Sequence, residues 1–143
     1  MRHGHYQDNG SLTKRGIQKV RKAAKIFKDQ PIVIYSSPVT RCRETALLIK
    51  EEIVQSELHE IPWLSIDVTT LPENCLSYLK GAIIVVVSHQ PILCKLAGKL
   101  ILSNGRFIGF DCGIPVKFHS IHTVPEIGAL GLPETDVIME LSI

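Results

Sequence analysis

No two cysteines in this chain are close in sequence. The four, Cys42, Cys75, Cys94 and Cys112, are widely separated and form no C-x-x-C. That excludes a zinc ribbon and a dithiol redox motif and leaves four reduced thiols. Long apolar runs are also missing. None reaches the ~20 residues needed to cross a bilayer, and the charged start is not followed by the apolar segment of a secretory leader. A cytoplasmic protein with no membrane partner is the expectation. Nor does either sign of charge dominate. Sixteen basic and fourteen acidic residues leave +2, too little to argue for a nucleic-acid partner, and the bases clustered over 14–28 read as the solvated face of a helix. Repeats, low-complexity stretches and linkers are absent. With 45% hydrophobic and 21% charged residues, the whole of 1–143 reads as one globular domain.

What is present is alternation. After Thr13, a plausible N-cap, Ile17, Val20, Ala24 and Phe27 recur at helical spacing. "PIVIY" (31–35) reads as a short buried strand. "SSPVTRCRETALLIKEEI" then opens a helix with Ser37 as its N-cap candidate and Pro38 at the first helical position. Cys42, Ala46, Ile49 and Ile53 form its inner stripe. "WLSIDVT" (63–69) is a further strand and "PENCLSYLK" (72–80) a short helix. "AIIVVVS" (82–88) is an unbroken run rich in β-branched residues, as expected of a strand covered on both faces. A helix over 91–102 and two strand-like stretches, 116–124 and 136–142, complete the chain. This order predicts an α/β fold, a three-layer sandwich whose mostly parallel sheet carries helices on both faces.

In such folds ligands collect beyond the carboxyl ends of the strands, where helix N-termini point N–H groups at an anion. The pattern puts Arg41 in the first turn after one strand, and Ser88 and His89 at the mouth of the strongest strand. Arg2 and His3 belong at the end of a first strand for which Met1 alone is available. Two arginines and two histidines converging there suit a phosphoryl group. Arginine offers fixed bidentate donors, and a neutral imidazole nitrogen can attack phosphorus.

Four motifs in order, "RHG" (2–4), "LTKRG" (12–16), "SSPVTRCRET" (36–45) and "VVVSHQP" (85–91), resemble those of the histidine phosphatase (phosphoglycerate mutase-like) superfamily. The short, insert-poor length is similar to its SixA-type phosphohistidine phosphatases. The resemblance implies a metal-independent, cofactor-free phosphatase with His3 as the nucleophile that becomes phosphohistidine. It implies that Arg2, Arg41 and His89 bind the phosphoryl oxygens, with Glu73, in Leu71-Pro72-Glu73, as the tentative general acid. Glu73 also suits a helix N-terminus. Gly4 lets the backbone pass close to the ligand, and His5, Asn9, Ser88 and Gln90 complete the substrate-binding set. An Asn-Gly turn accounts for Asn9 as well. Members of the family carry an apolar strand ahead of their R-H-G, so the first strand reads here as truncated.

The expected substrates are phosphorylated protein side chains, phosphohistidine among them, or small phosphomonoesters. A mutase must retain its intermediate product under a lid, and the stretch 54–73 is short for one. Two alternatives stand beside this reading. One is a non-catalytic phosphate-binding or scaffold member of the same fold. The other is a zinc hydrolase using His3 and His5, which would need further ligands in register. His119 and His122 are three apart in a strand-like stretch and so fall on opposite faces. His59 is expected at the surface.

Overall fold

The computed structural model describes residues 1–2, 4–89, 92–102, 109–111, 114–116 and 139–142. Three helices and six strands are built from them: α1 (Lys14–Ala24), β1 (Ile32–Ser36), α2 (Thr40–Glu52), β2 (Ser56–Glu60), β3 (Ile83–Val87), α3 (Ile92–Leu102), β4 (Gly109–Asp111), β5 (Ile114–Val116) and β6 (Met139–Ser142). One sheet has the order β2-β1-β3-β6, and β4 pairs with β5 separately. The pairs β1–β2 and β1–β3 are parallel, with Ile34 opposite both Leu58 and Val85. β6 runs antiparallel along β3. The chain is therefore an α/β protein with a mostly parallel sheet.

The period of two along the central strands divides the core. Ile32, Ile34, Val85 and Val87 face one way and pack with Val20, Ala23, Ala24 and Phe27, and with Cys42, Ala46 and Ile49 of α2. Val33, Tyr35, Ile84 and Val86 face the other way, against Leu64, Leu79 and the apolar face of α3 (Ile92, Leu93, Leu96 and Ala97). Full burial of each such aliphatic side chain contributes about 1.5–3 kcal/mol, so both faces of β1 and β3 are held. Both run carboxyl end toward the same edge, and α2 and α3 start there.

Local chemistry sets the boundaries. Thr13 caps α1, its hydroxyl accepting the Gly16 N–H at 3.0 Å. The expected stripe of α2 is buried throughout, Ile53 included. Ser37, however, is not the N-cap of α2. The helix begins at Thr40 with Val39 in the cap position and no side-chain cap, and the Ser37 hydroxyl instead accepts the Val39 N–H from outside the helix at 3.2 Å.

The strand expected over 63–69 is likewise absent. Pro62–Leu64 is a turn of 3-10 helix, and the third parallel strand is β2, the polar segment "SELHE". β2 lies at the sheet edge, where its exposed positions tolerate Glu and His. The short helix over 72–80 contracts to a 3-10 turn, Cys75–Tyr78. The stretch 116–124 lies outside the described residues beyond Val116, which ends β5.

Met1 and Arg2 lie along β3. The Ser88 N–H donates to the Met1 carbonyl at 2.8 Å, the Met1 nitrogen donates to the Val86 carbonyl, and Arg2 bridges Ser88 in parallel. On the same edge of β3, Ile83–Val86 pairs with β6. Met1 and Arg2 thus share one edge of β3 with the antiparallel β6.

Candidate active site

β1 and β3 deliver the site. At the end of β1 the Ser37 N–H donates to the Val87 carbonyl at 2.9 Å, so the exits of the two strands are tied together. Ser88 and His89 follow β3 directly, and the His89 carbonyl accepts the Leu93 N–H at 3.0 Å as α3 begins. His89 is 1% exposed.

Its ring is held from both sides. Nε2 lies 3.0 Å from Ser37 Oγ, and Nδ1 lies 3.4 Å from an Arg41 terminal nitrogen. A guanidinium only donates, so Nδ1 accepts and the proton of a neutral ring sits on Nε2, aimed at Ser37. Cys42 Sγ approaches Nε2 to 3.4 Å. Burial pushes the Cys42 thiol up from an ordinary 9.0 to about 12, outweighing the Ser37 hydrogen bond and the positive charge of Arg41. Burial thus favours the neutral thiol at this position.

Arg41 touches two rings. Its guanidinium carbon lies 4.6 Å from the centroid of Tyr6, within cation–π range, and a terminal nitrogen contacts His89. Among the described residues, Arg41 Nε is a buried donor without an acceptor. One edge of the guanidinium is therefore desolvated without a protein acceptor among the described residues.

The N-terminal motif is bound to α1 and α2. The Gly4 N–H donates to Thr45 Oγ1 at 3.0 Å. A Cβ on Gly4 would stand 3.0 Å from Val20 Cγ2 and 3.2 Å from Leu12 Cδ2, so the close approach at this glycine is to apolar side chains of the adjoining segment. A Cβ on Gly16 would meet the His5 carbonyl oxygen at 2.5 Å. "LTKRG" is thereby explained: Thr13 caps the helix, and Gly16 admits the backbone that follows His3.

Of the expected site residues, Arg41 and His89 are brought into contact. Arg2 lies beside Ser88, and Gly4 beside α2. His5 is exposed, and its carbonyl accepts the Thr13 N–H at 2.9 Å. Asn9 is exposed with Oδ1 accepting the Ser11 N–H at 3.0 Å, and the buried Ser88 hydroxyl donates to the Leu64 carbonyl at 2.6 Å. Glu73 is exposed in the turn ahead of Cys75, away from any hydrogen bond or ion pair among the described residues. His3 and Gln90 lie outside the described residues, as do His119 and His122. His59 is exposed, stacked on Tyr35. Among the described residues no group of three His, Cys, Asp or Glu side chains is arranged to hold a metal, and no helix is long and apolar enough to cross a membrane.

The sequence reading missed three contributors: Cys42, Thr45 and the orienting role of Ser37. Their proximity in "SSPVTRCRET" to Arg41 was the available signal. Arg41 and Thr45 are one turn apart on α2, and Ser37 lies four residues before Arg41, ahead of the helix.

The family model described as histidine phosphatase superfamily (branch 1) matches residues 1–74, which hold three of the four motifs. The chain belongs to this superfamily. No curated protein sequence matches it. Among solved structures it is similar to an Agrobacterium tumefaciens protein provisionally assigned as the phosphohistidine phosphatase SixA. Identity is 19% over 73% of this chain and 75% of that one, with a TM-score of 0.55. A phosphoglycerate mutase from Plasmodium falciparum aligns at 18% identity over 71% and 72%, with a TM-score of 0.48. The first likeness is one of fold. In this histidine phosphatase chain, the fourth motif lies beyond the matched segment and is joined to the third by the Arg41–His89 and Ser37–His89 contacts.

Proposed function

We propose that the chain is a metal-independent phosphatase working through a phosphohistidine on His3, with phosphorylated protein side chains, phosphohistidine above all, or small phosphomonoesters as substrates. The observation that carries the reading is the buried Nε of Arg41, without an acceptor among the described residues, beside His89 at the carboxyl edge of the sheet. A phosphoryl oxygen supplies the missing acceptor, and Arg2, one residue from His3, adds a second guanidinium.

In the first step His3 Nε2 attacks phosphorus in line. The N–P bond forms as the bond to the leaving group breaks, and the leaving group departs with the electron pair. Arg2 and Arg41 neutralise charge on the equatorial oxygens. Before substrate binds, His89 holds Arg41 through Nδ1; when the phosphoryl group arrives, Nδ1 takes a proton from it or from solvent, releases the Arg41 N–H to a phosphoryl oxygen and donates to another. An alkoxide leaving group takes a proton from Glu73. Water then attacks the phosphohistidine, the N–P bond breaks, the proton lost by water returns to Glu73 or leaves with phosphate, and neutral His3 is restored. SixA-type similarity favours phosphohistidine, whose imidazole leaves without a placed acid when protonated from solvent.

The test is turnover of p-nitrophenyl phosphate in excess EDTA, wild type beside His3→Ala, with acid and base quenching of the labelled enzyme. Chelator-resistant turnover and an acid-labile, base-stable adduct absent from His3→Ala are expected. Activity lost in EDTA and restored by zinc, or an acid-stable adduct on serine, would sink the reading.

A further inference from the structure

Two hydrogen bonds that span much of the N-terminal sequence end on consecutive residues of α2. Thr45, fully buried, accepts the Gly4 N–H at 3.0 Å and donates its hydroxyl proton to the Arg41 carbonyl, one turn earlier, at 2.7 Å. Its neighbour Glu44 accepts the Leu12 N–H on Oε2 at 2.7 Å. Between these two anchors the chain doubles back on itself. Tyr6 bridges Leu12 in antiparallel fashion, the Gln7 N–H donates to the Ser11 carbonyl at 2.7 Å, and the Thr13 N–H to the His5 carbonyl. Residues 4–13 are thus a short hairpin pinned at both ends by one helix.

Helix stability does not call for threonine at position 45, since a β-branched residue is a poor helix former, and the surroundings, with Cys42, Ala46 and Ile49 buried beside it on α2, are apolar. What the hydroxyl provides is a link between the backbone following His3 and the turn bearing Arg41. Its single proton and one lone pair are both used in that link.

We propose that Thr45 is a positioning residue for phosphoryl transfer, holding the nucleophile-bearing segment in a fixed relation to the Arg41 turn. The proposal rests on the phosphatase reading above. Phosphate affinity through Arg41 and His89 rests chiefly on α2 and the exit of β3 and depends less on the hairpin, which reaches the Arg41 guanidinium through Tyr6. Attack by His3 needs the hairpin's exact placement, because displacement by ~1 Å from the reacting geometry can cost on the order of 10²-fold.

The experiment compares wild type, Thr45→Val, Thr45→Ala and Thr45→Ser on p-nitrophenyl phosphate, with inhibition by inorganic phosphate, at a temperature where circular dichroism shows each variant folded. Thr45→Val removes the hydroxyl at nearly constant volume, and Thr45→Ala serves if valine is not accommodated. In both, kcat is expected to fall about 10- to 100-fold while the phosphate inhibition constant moves by less than about threefold, with Thr45→Ser close to wild type. Wild-type kcat in folded Thr45→Val or Thr45→Ala overturns the inference, as does Thr45→Ser as impaired as valine. So does loss of phosphate affinity in step with kcat. Wild-type protein without turnover overturns the phosphatase reading and this inference together, whereas active wild type beside unimpaired variants overturns only this one.

Discussion

Ser37 Oγ and His89 Nε2, 52 residues apart in sequence, lie 3.0 Å from one another with both residues buried. Arg41 can only donate to the other ring nitrogen, which puts the proton of a neutral ring on Nε2, facing the Ser37 hydroxyl. Ser37→Ala leaves the ring N–H without this acceptor in a closed environment. A loss of about 1–3 kcal/mol of unfolding free energy is expected, as for a buried donor deprived of its partner, measured by urea denaturation. An unchanged midpoint would show that the Ser37–His89 contact does not contribute to stability.

Gly16 supplies a test in which helix propensity and tertiary contact oppose one another. In an isolated helix Gly→Ala stabilises by about 1 kcal/mol. Here the new methyl would meet the His5 carbonyl at 2.5 Å, and backbone yields poorly. Gly16→Ala is expected to destabilise by about 1–3 kcal/mol, as overpacking does, and to lower turnover by shifting the segment after His3. Stabilisation in the same denaturation assay would contradict the observed contact.

The Cys42 thiol carries a pH signature. Its folded pKa is raised from 9.0 to about 12, so the neutral thiol is favoured by folding. The associated stability is complete below pH 9.0 and declines as pH rises toward about 12, at about 1.4 kcal/mol per pH unit at most. The difference in stability between wild type and Cys42→Ala should therefore narrow across that alkaline window and stay constant below it. In the native protein the half-buried Cys94 should react with iodoacetamide before Cys42 does. Equal labelling of the two at neutral pH would refute the inert-thiol assignment.

Glu73 decides the substrate class within the proposed function. A placed acid contributes about 10²–10⁴-fold to expulsion of an alkoxide and far less to a nitrophenolate. If Glu73 protonates the leaving group, Glu73→Gln should cripple hydrolysis of sugar or serine phosphates and spare aryl phosphates. Its exposed position outside any described hydrogen bond or ion pair supports the other outcome: equal, small effects on both, with intrinsically slow alkyl-ester turnover. That result would favour phosphohistidine as substrate.

Much of this chain was determined locally and was therefore legible in the amino-acid order. The run 82–88 had to be a covered strand because its β-branched side chains are apolar on both faces. The stripe Cys42, Ala46, Ile49 and Ile53 had to face a core, and Thr13 could cap only the helix that follows it. The four motifs placed Arg41 and His89 at the same sheet edge through strand direction alone. Tertiary structure decided what depends on pairing between distant segments. "SELHE" has no apolar alternation and becomes β2 only by hydrogen bonding along the edge of β1. Ser37 looks like a helix cap but turns to His89, because the β1–β3 register brings the two strand exits together. Thr45 and Gly16 look like ordinary helix residues until the segment after His3 folds back against them. In each case the residue's role is set by a hydrogen bond or a close approach whose other partner lies in another element, and no local periodicity encodes such a contact.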